Sequence, residues 1–289
     1  MQKEFNTIAI IGKFMRKSAL PLMQNDLADL AKHLQAKNIE VLFEADTAQH
    51  AAINGFKTIS LEEVGKQADL AIVMGGDGTM LSVARALKES STPLVGINRG
   101  HFGFLTDLRA EGMLQDLDAI LAGQYQTESR MMLNASVHRG DKVIHQNYAF
   151  NDIVLKSGLR LIELEVVIDG KFVHKQRSDG LILSTPTGTT AYSLSAGGPI
   201  LHPNLEAIAL VPICPHTLSN RPFAVNNAAK IEITLMQVDD AQISFDGQFQ
   251  LDLALGDCVK VERAKDSVIL LHPGEYCYYE MLRNKLHWG

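Results

Sequence analysis

Cysteine is scarce in this chain, and its few cysteines are far apart. Cys214, Cys258 and Cys277 are the only three, and no Cys-x-x-Cys pair occurs. A structural zinc site built from cysteines, or a disulfide framework, requires paired spacings or more cysteines. The sequence therefore predicts neither of these, and it favours a reducing, cytoplasmic location.

Long apolar runs and blocks of like charge are also missing. The chain has 289 residues and a formal charge of −6. No run is long enough to span a membrane, and the first residues do not resemble a signal peptide. A broad basic surface of the kind that binds nucleic acid is absent as well. We therefore expect a protein that binds neither membranes nor nucleic acids and is long enough for two domains.

Two common nucleotide-binding fingerprints, G-x-G-x-x-G and G-x-x-x-x-G-K-[ST], do not occur. Instead, the apolar run Leu70–Met74 leads into Gly-Gly-Asp-Gly-Thr, and apolar residues at helical spacing follow from Met80 to Leu87. This pattern predicts a buried strand, a tight turn and a helix. Such turns bind ligands in open α/β sheets, and backbone N–H groups at a helix start favour phosphate. The predicted phosphate-donor loop consists of Gly75, Gly76, Gly78 and Thr79.

Asp77 places a negative charge in the middle of this predicted phosphate loop. A carboxylate at that position is suited to accept a proton from a substrate hydroxyl group, or to bind magnesium. An ordinary structural role is open as well, since an aspartate at the start of a helix often caps it. The local sequence does not decide between these three roles.

The first half of the chain alternates predicted strands with predicted helices. The strands are Thr7–Gly12, Glu40–Phe43, Leu70–Met74 and Pro93–Ile97, and the helices are Leu20–Leu34, a segment after Ser60, Met80–Leu87 and Met113–Leu121. Ser60 and Glu63 have the spacing of a capping box. Strands that alternate with helices form a parallel sheet covered on both faces. Residues 1–125 are therefore predicted to form an α/β domain.

The second half is predicted to be rich in strands. The segments with this pattern are Leu133–His138, Ile162–Ile168, Lys230–Leu235, Ile243–Phe249, Val259–Val261 and Val268–Leu271. Asp169-Gly170 and Asp246-Gly247 are typical of hairpin turns. Residues 126–275 are therefore predicted to form a β-rich, sandwich-like domain. In residues 276–289, a helix from Tyr278 to Leu286 is predicted to pack back on the first domain.

A polar segment follows the apolar residues Leu181–Leu183. Seven serine and threonine residues lie between Ser184 and Ser195, and Tyr192 adds another hydroxyl group. Hydroxyl groups and small residues suit contacts with ribose, amide and phosphate groups. The alternative is a polar loop whose side chains cap its own backbone. Asn151-Asp152 leaves a similar choice, between holding the two hydroxyl groups of a ribose and an ordinary turn before a strand.

Together, these segments resemble the NAD kinase family, and closely its bacterial, ATP-dependent form. The matching segments are Gly75–Thr79, Asn98–Gly100 with Gly103–Leu105, Asn151-Asp152, Asp179–Pro199 and Pro215–Pro222. They occur in the family's order and cover most of the chain. The Gly-Gly-Asp-Gly-Thr turn alone is shared with diacylglycerol and sphingosine kinases, whereas the Thr185–Pro199 run is much more specific.

The resemblance implies an ATP:NAD 2′-phosphotransferase, which transfers the γ-phosphoryl group of ATP to the 2′-hydroxyl of the adenosine ribose of NAD and forms NADP. It implies a Rossmann-like first domain, a β-rich second domain and a homo-oligomer, either dimer or tetramer. Asp77 matches the proton acceptor, and Asn151 and Asp152 match ligands of the nicotinamide end or its ribose. The NAD-binding residues implied in this way are Asp77, Gly78, Asn151, Asp152, Arg160, Arg177, Asp179, Thr190, Ala191, Tyr192, Ser193, Leu194, Ser195 and Gln248.

Magnesium is expected to arrive bound to ATP, since the sequence contains no cluster of carboxylates that predicts a metal site in the protein itself. Two other functions are kept as alternatives. A lipid kinase that shares the glycine turn should contain an interfacial helix, and no basic amphipathic segment is found. A non-catalytic dinucleotide sensor could keep the hydroxyl-rich loop but would have no need for Asp77.

Overall fold

The computed structural model describes residues 5–12, 20–100, 103–158, 160–217, 219–237 and 240–288. Of the matching segments named above, Pro215–Pro222 contains residue 218, which lies outside these ranges. Spatial clustering divides the chain into two compact units, Met1–Ser129 with Val268–Gly289, and Arg130–Ser267. We call them the first and the second unit. The domain limits and the docking of the C-terminal helix stay predictions.

The described residues form strands throughout the chain and helices mainly in its first half. The strands are β1 (Thr7–Gly12), β2 (Glu40–Glu44), β3 (Lys57–Ile59), β4 (Leu70–Met74), β5 (Leu94–Asn98), β6 (Leu108–Arg109), β7 (Tyr125–Arg139), β8 (Lys142–Ala149), β9 (Asp152–Ser157), β10 (Ile162–Ile168), β11 (Lys171–Ser178), β12 (Gly180–Ser184), β13 (Ala207–Ile213), β14 (Phe223–Asn226), β15 (Ile231–Gln237), β16 (Ala241–Phe245), β17 (Phe249–Leu253) and β18 (Cys258–Pro273). The α-helices are α1 (Leu20–Ala36), α2 (Ala45–His50), α3 (Leu61–Gln67), α4 (Asp77–Ala86), α5 (Met113–Leu121), α6 (Tyr192–Ser195) and α7 (Tyr278–Leu286), and a 3₁₀-helix spans Thr187–Thr190.

The first unit contains a parallel sheet with the strand order β3-β2-β1-β4-β5. The C-terminal part of β18 pairs with β5 through Leu270 and Leu94, and β6 also pairs with β5. Buried apolar side chains of the strands and of α1, α2 and α5 form its core. The order reverses between β1 and β4, so the carboxyl ends of these two strands form the topological switch point at which open α/β sheets bind ligands.

Local sequence explains several of these elements. Strand β4 is fully buried because all five of its residues are apolar and the sheet is covered on both faces. Helix α3 begins with the predicted capping box, in which the side chain of Glu63 accepts the backbone N–H of Ser60 at 2.9 Å. Helix α2 is not among the helices predicted from the sequence. Its N-cap is Glu44, whose carboxylate accepts the backbone N–H groups of Asp46 and Thr47.

The second unit consists of two sheets that pack on each other. One has the order β11-β10-β15-β18, with β7 paired to β18 and β8, and the other has the order β14-β13-β12-β9-β16-β17. Side chains from both sheets, such as Leu164 and Ile233 from one and Leu183 and Ile243 from the other, share a single core. The predicted fold class, an α/β part followed by a β-rich, sandwich-like part, is confirmed.

The predicted strands are present in the structure, but several have other limits: Leu133–His138 is part of β7, and Ile243–Phe249 contains the end of β16, a turn and the start of β17. The sequence predicts Val259–Val261 and Val268–Leu271 as separate strands, but they belong to the single strand β18, because the polar residues between them continue the extended backbone. Both predicted hairpin turns are present: Asp169 and Asp246 have positive φ angles of 51° and 52°, as this turn type requires. Within the described ranges, none of the helices combines the length and apolarity needed to cross a membrane.

Candidate functional site

The glycine-rich turn lies directly after β4, at the switch point of the parallel sheet. Helix α4 begins at Asp77, and Gly76 is its N-cap. Gly75 packs closely on Thr79, since a Cβ atom at position 75 would lie 2.9 Å from the Thr79 Cβ. The hydroxyl group of Thr79 is buried and has no hydrogen-bond partner among the described residues. A buried hydroxyl in this state is available to a ligand that reaches the turn.

The carboxylate of Asp77 binds a neighbouring backbone segment rather than its own helix. Its Oδ2 accepts the N–H of Phe104 at 2.7 Å, and its Oδ1 accepts the N–H of Leu105 at 3.0 Å. Gly103 lies against the same carboxylate, where a Cβ atom would overlap it. The helix-cap interpretation of Asp77 is therefore not supported, because Gly76 occupies the cap position. These contacts also give a structural reason why the glycine turn and Gly103–Leu105 both occur among the matching segments.

Burial raises the pKa of Asp77 above the ordinary value of an aspartate. The two backbone N–H groups and the positive charge of Lys285 oppose this effect, and the negative charge of Asp107 adds to it. The result is a carboxylate whose orientation is fixed by hydrogen bonds and which is more basic than an exposed one. These are the properties of a group placed to accept a proton.

A buried histidine in the first unit bridges two carboxylates, and no sequence pattern indicated it. His272 is 2 % exposed; its Nδ1 lies 2.5 Å from Asp107 Oδ2 and its Nε2 lies 3.1 Å from Glu128 Oε2. Its ring stacks on Tyr276 with a centroid distance of 4.0 Å. Burial lowers the pKa of His272, but the hydrogen bonds to Asp107 and Glu128 outweigh it, so the pKa is raised overall.

The second unit contains a cavity of about 360 Å³ that brings several predicted residues together. Four predicted NAD-binding residues line it: Asn151, Asp152, Ala191 and Tyr192. The other lining residues were not predicted: Val154, Lys156, Ser244, Asp246, Gly247 and Gln250. The cavity therefore joins the Asn151-Asp152 pair to the start of α6, as a shared ligand site requires.

Asp246 organises the backbone of this cavity. Its carboxylate accepts the N–H groups of Phe150, Asn151 and Asp152 at 3.0, 2.7 and 3.1 Å. The Asp-Gly hairpin turn already accounts for Asp246 in the sequence. No further pattern indicates that its carboxylate also binds the backbone of residues 150–152. The side-chain oxygen of Asn151 is buried and has no partner among the described residues, which leaves it available to a ligand.

Asp152 is a buried carboxyl group next to a second carboxylate. Only 4 % of the residue is exposed. Burial, and to a lesser extent the negative charge of Asp246, raises the pKa of Asp152 to about 7. Near neutral pH the group therefore occurs both as a neutral hydrogen-bond donor and as an acceptor.

The hydroxyl-rich segment uses much of its polarity within the protein. Thr185 Oγ1 donates to the Phe150 carbonyl at 2.7 Å, and Thr189 Oγ1 donates to the Pro186 carbonyl at 2.6 Å. Thr190, one of the predicted NAD-binding residues, donates to the Thr187 carbonyl at 3.2 Å. For these threonines, the alternative interpretation of local backbone capping describes the structure. The Ser193 hydroxyl differs, because it is buried without a partner among the described residues.

The remaining predicted NAD-binding residues lie outside the lining of this cavity. The side chains of Arg160, Arg177, Asp179, Ser195 and Gln248 are exposed to solvent, and Leu194 is half-buried. Their proposed contacts with NAD stay predictions. Gln250, two residues after Gln248, is the glutamine that lines the cavity.

The family comparisons agree over both halves of the chain. The ATP-NAD kinase N-terminal domain matches residues 8–125, and the ATP-NAD kinase C-terminal domain matches residues 151–272. The NAD kinase of Thiobacillus denitrificans is 48 % identical over an alignment of 291 positions, which covers 100 % of this chain and 99 % of that protein. The NAD kinase of Aromatoleum aromaticum is 49 % identical over 292 residues, covering 100 % of this chain and 96 % of that protein.

Solved structures of related kinases have the same fold. A yeast NADH kinase complexed with NADH superposes with a TM-score of 0.90 at 25 % identity, covering 100 % of this chain and 89 % of that one. An NAD kinase from Archaeoglobus fulgidus in complex with ATP gives a TM-score of 0.75 at 26 % identity, covering 97 % and 98 %. With its two domain matches and full-length relatives, this chain belongs to the NAD kinase family.

Proposed function

We propose that Asp77 is the proton acceptor when the chain transfers the γ-phosphoryl group of ATP to the 2′-hydroxyl group of the adenosine ribose of NAD. NAD phosphorylation to NADP is the activity of the family. A ribose hydroxyl is a weak nucleophile until its proton has an acceptor, and a positioned carboxylate contributes a factor of about 10² to 10⁴. In-line phosphoryl transfer otherwise depends on positioning and on neutralising phosphate charge.

The observation that carries this proposal is the fixed orientation of the Asp77 carboxylate. Each oxygen accepts one backbone N–H, from Phe104 or Leu105, and each keeps lone pairs for a further donor. A substrate hydroxyl group is such a donor. The position of Asp77 at the start of α4, inside a turn whose N–H groups favour phosphate, supports the assignment.

Magnesium is proposed to enter with ATP, so that MgATP is the phosphoryl donor. In the part of the chain that the structure describes, no group of three or more His, Cys, Asp or Glu side chains is arranged to hold a metal ion. The described residues therefore show no complete ligand set, and phosphate oxygens are the natural ligands of the ion. The glycine turn Gly75–Thr79 is proposed to receive the donor phosphates.

The cavity of the second unit is proposed to bind part of NAD. Its two carboxyl groups, Asp152 and Asp246, offer acceptors for ribose hydroxyl groups. So does the side-chain oxygen of Asn151, which has no partner among the described residues. The exposed residues Arg177 and Asp179 extend this proposal to the polar ends of the dinucleotide. The same role is proposed for Gly78, Arg160, Thr190, Ser193, Leu194, Ser195 and Gln248.

A homo-oligomer is proposed from the exposed apolar side chains of the second unit. Phe172 and Val173 on β11 are 63 % and 40 % exposed, and Val143 and Ile144 on β8 are 55 % and 41 % exposed. These exposed apolar side chains are groups that a second copy of the chain would cover in a homo-oligomer. Light scattering should give a multiple of the 31.7 kDa chain mass, and a monomer mass at micromolar concentration would contradict the proposal. The cytoplasmic location remains a prediction.

A parallel assay tests the phosphotransferase proposal against the lipid kinase and sensor alternatives. The purified chain is incubated with MgATP and either NAD or diacylglycerol, and the products are scored as NADP or phosphatidate. We expect ATP-dependent formation of NADP, which an NADP-specific dehydrogenase then reduces. Phosphatidate formation would instead indicate a lipid kinase, and NAD binding without turnover would indicate a sensor.

A further inference from the structure

The last turn of α7 places a lysine beside the charged groups that surround Asp77. Lys285 lines a cavity of about 630 Å³ in the first unit, and Asp107 and Arg109 line the same cavity. Asp107 follows Leu105 by two residues, and Leu105 is one of the two backbone donors to Asp77. One short backbone segment therefore contacts the Asp77 carboxylate and also forms a wall of the cavity that contains Lys285.

The end of α7 holds Lys285 in a defined place. Tyr278 and Leu282 bury the apolar face of this helix. His287 ends the helix in the left-handed conformation with φ of 54°, and the N–H of Trp288 donates to the Arg283 carbonyl at 3.1 Å. Lys285 is half-buried in this last turn, where the partial negative charge of a helix end favours a cation.

The charges around Lys285 indicate which carboxylate its ammonium group stabilises. Burial lowers the pKa of Lys285, the negative charges of Asp77 and Asp107 oppose this effect, and the positive charge of Arg109 adds to it. Asp107 is already hydrogen-bonded to His272. Burial raises the pKa of Asp77; the backbone N–H groups of Phe104 and Leu105 oppose this most, and the positive charge of Lys285 opposes it next.

We propose that Lys285 is a positioning residue for Asp77: its ammonium group keeps the buried Asp77 carboxyl group in the charged form that can take a proton from the substrate. This inference rests on the proposed role of Asp77 as proton acceptor. Lys285 acts through Asp77 and does not contact the reacting atoms. Its role is electrostatic, so arginine at position 285 should replace it and a neutral side chain should not.

The composition of the cavity argues against Lys285 as a ligand of the donor phosphates. Two cationic residues, Arg109 and Lys285, share the cavity with three carboxylates, Asp107, Glu275 and Glu280. A phosphate group would therefore meet more negative than positive charge. The positive charge of Lys285 instead interacts with the carboxylates of Asp77 and Asp107 in the same unit.

The test is the pH dependence of kcat/KM for NAD in Lys285→Met and Lys285→Arg. Methionine keeps the aliphatic stem and removes the charge. We expect the acidic limb of the Lys285→Met profile to move by about one pH unit toward alkaline pH, with about a tenfold loss below the limb. Lys285→Arg should keep the limb of the parent. Arg283→Met is the matched control, because it removes an exposed positive charge from the helix that contains Lys285. It should leave the profile unchanged.

A double-substitution cycle with Asp77→Asn separates this inference from the proposed function. If Lys285 acts through Asp77, Lys285→Met should have no further effect once Asp77 is replaced by Asn. An active Asp77→Asn enzyme would overturn the proposed role of Asp77. An inactive Asp77→Asn enzyme together with an unshifted limb in Lys285→Met would overturn the role of Lys285 alone.

Two further outcomes would also contradict the role of Lys285. A raised KM for MgATP with an unshifted limb would identify Lys285 as a phosphate ligand. A shifted limb in Arg283→Met would mean that any lost charge on α7 has the same effect. Thermal melting of each variant comes first; if Lys285→Met does not fold, Lys285→Gln is measured in its place, with the same expected shift.

Discussion

Gly103 lies so close to the carboxylate of Asp77 that a Cβ atom at position 103 would overlap its Oδ1. The two residues are 26 positions apart, and the contact exists because Phe104 and Leu105 turn their N–H groups toward the same carboxylate. Glycine is required at position 103 because the Asp77 carboxylate approaches the backbone there too closely for a side chain. The conformation of the proposed proton acceptor therefore depends on a residue that has no side chain.

Gly103→Ala should impair activity by displacing the Asp77 carboxylate. The added methyl group forces either the 103–105 backbone or Asp77 to move, and a hydrogen bond of about 1 kcal/mol or more is lost. We expect kcat to fall by at least about tenfold, because misplacement of about 1 Å can cost 10²-fold. Gly100→Ala is the control, since among the described residues its Cβ would meet only Asn98 Oδ1, at 3.8 Å. Equal kcat values for the two variants would contradict this explanation.

His272 should make the stability of the chain depend on pH. The pKa of His272 is raised in the folded protein, so its charged form stabilises the fold fully below the unfolded pKa of about 6.5. This contribution is lost as the pH rises through the higher folded pKa. We expect the melting temperature of the parent to fall across this window. His272→Gln should remove that dependence and cost about 3 kcal/mol at pH 6, because Asp107 and Glu128 lose their partner.

His33→Gln is the matched control for this prediction. His33 also contacts a carboxylate, Asp118, but 24 % of its side chain is exposed. Replacement of His33 should change the melting temperature little across the same pH range, as is usual for ion pairs that are partly exposed to solvent. A His272→Gln variant that keeps the pH dependence of the parent would show that other groups produce it.

Asp152 should destabilise the fold at alkaline pH. Its pKa rises from 3.8 to about 7 on folding, so the folded state favours the protonated form. The stability that protonation provides is complete below pH 4 and is lost as the pH rises to about 7. Asp152→Asn lacks this slope, and at pH 8 it should recover up to about 4 kcal/mol relative to the parent. Urea unfolding at pH 5 and pH 8 measures this. Asp141→Asn, at an exposed aspartate, is the control, and identical slopes for parent and Asp152→Asn would refute the prediction.

The sequence predicts those features that depend on neighbouring residues. The capping box of Ser60 and Glu63, the buried strand β4 and both Asp-Gly hairpins are local patterns, and each is present in the structure. The sequence pattern divides strand β18 in two because its middle residues are polar, although the extended backbone continues through them.

The candidate site was predictable only in part, because much of it is formed by distant contacts. Asp246 binds the backbone of Phe150–Asp152 across more than 90 residues, and His272 reaches Asp107 across 165. No spacing in the sequence indicates such pairs. The hydroxyl groups near Thr185 resemble ligand contacts in the sequence, because composition does not reveal which of them the protein uses for its own carbonyl groups.

Asp179→Ala should weaken NAD recognition without harming the fold. The backbone of Asp179 bonds to Ile213 and Ser157, and both bonds survive the change, whereas its side chain is exposed. If the carboxylate holds a polar group of NAD, the KM for NAD should rise by roughly tenfold or more, and the KM for ATP should stay the same. Asp266→Ala, at another exposed aspartate, should leave both values unchanged. A rise confined to the KM for ATP would assign Asp179 to the other substrate.

Asp77→Asn removes the charge and the basicity of the proposed proton acceptor while it keeps its size. The amide has one acceptor oxygen, so one of the two N–H groups of Phe104 and Leu105 loses its partner, at a cost of about 1 to 3 kcal/mol in stability. Binding of NAD, measured by calorimetry, should change little. We expect kcat to fall by about 10²-fold or more, which corresponds to at least about 2.7 kcal/mol of transition-state stabilisation.

The alternatives for Asp77 give different results in the same experiment. A purely structural carboxylate would lower the melting temperature of Asp77→Asn but leave kcat within about threefold of the parent. A carboxylate that holds the ribose would lose NAD affinity in parallel with kcat. Only a proton acceptor loses kcat while the folded protein still binds NAD, because the missing basicity matters in the transition state and not in the ground state.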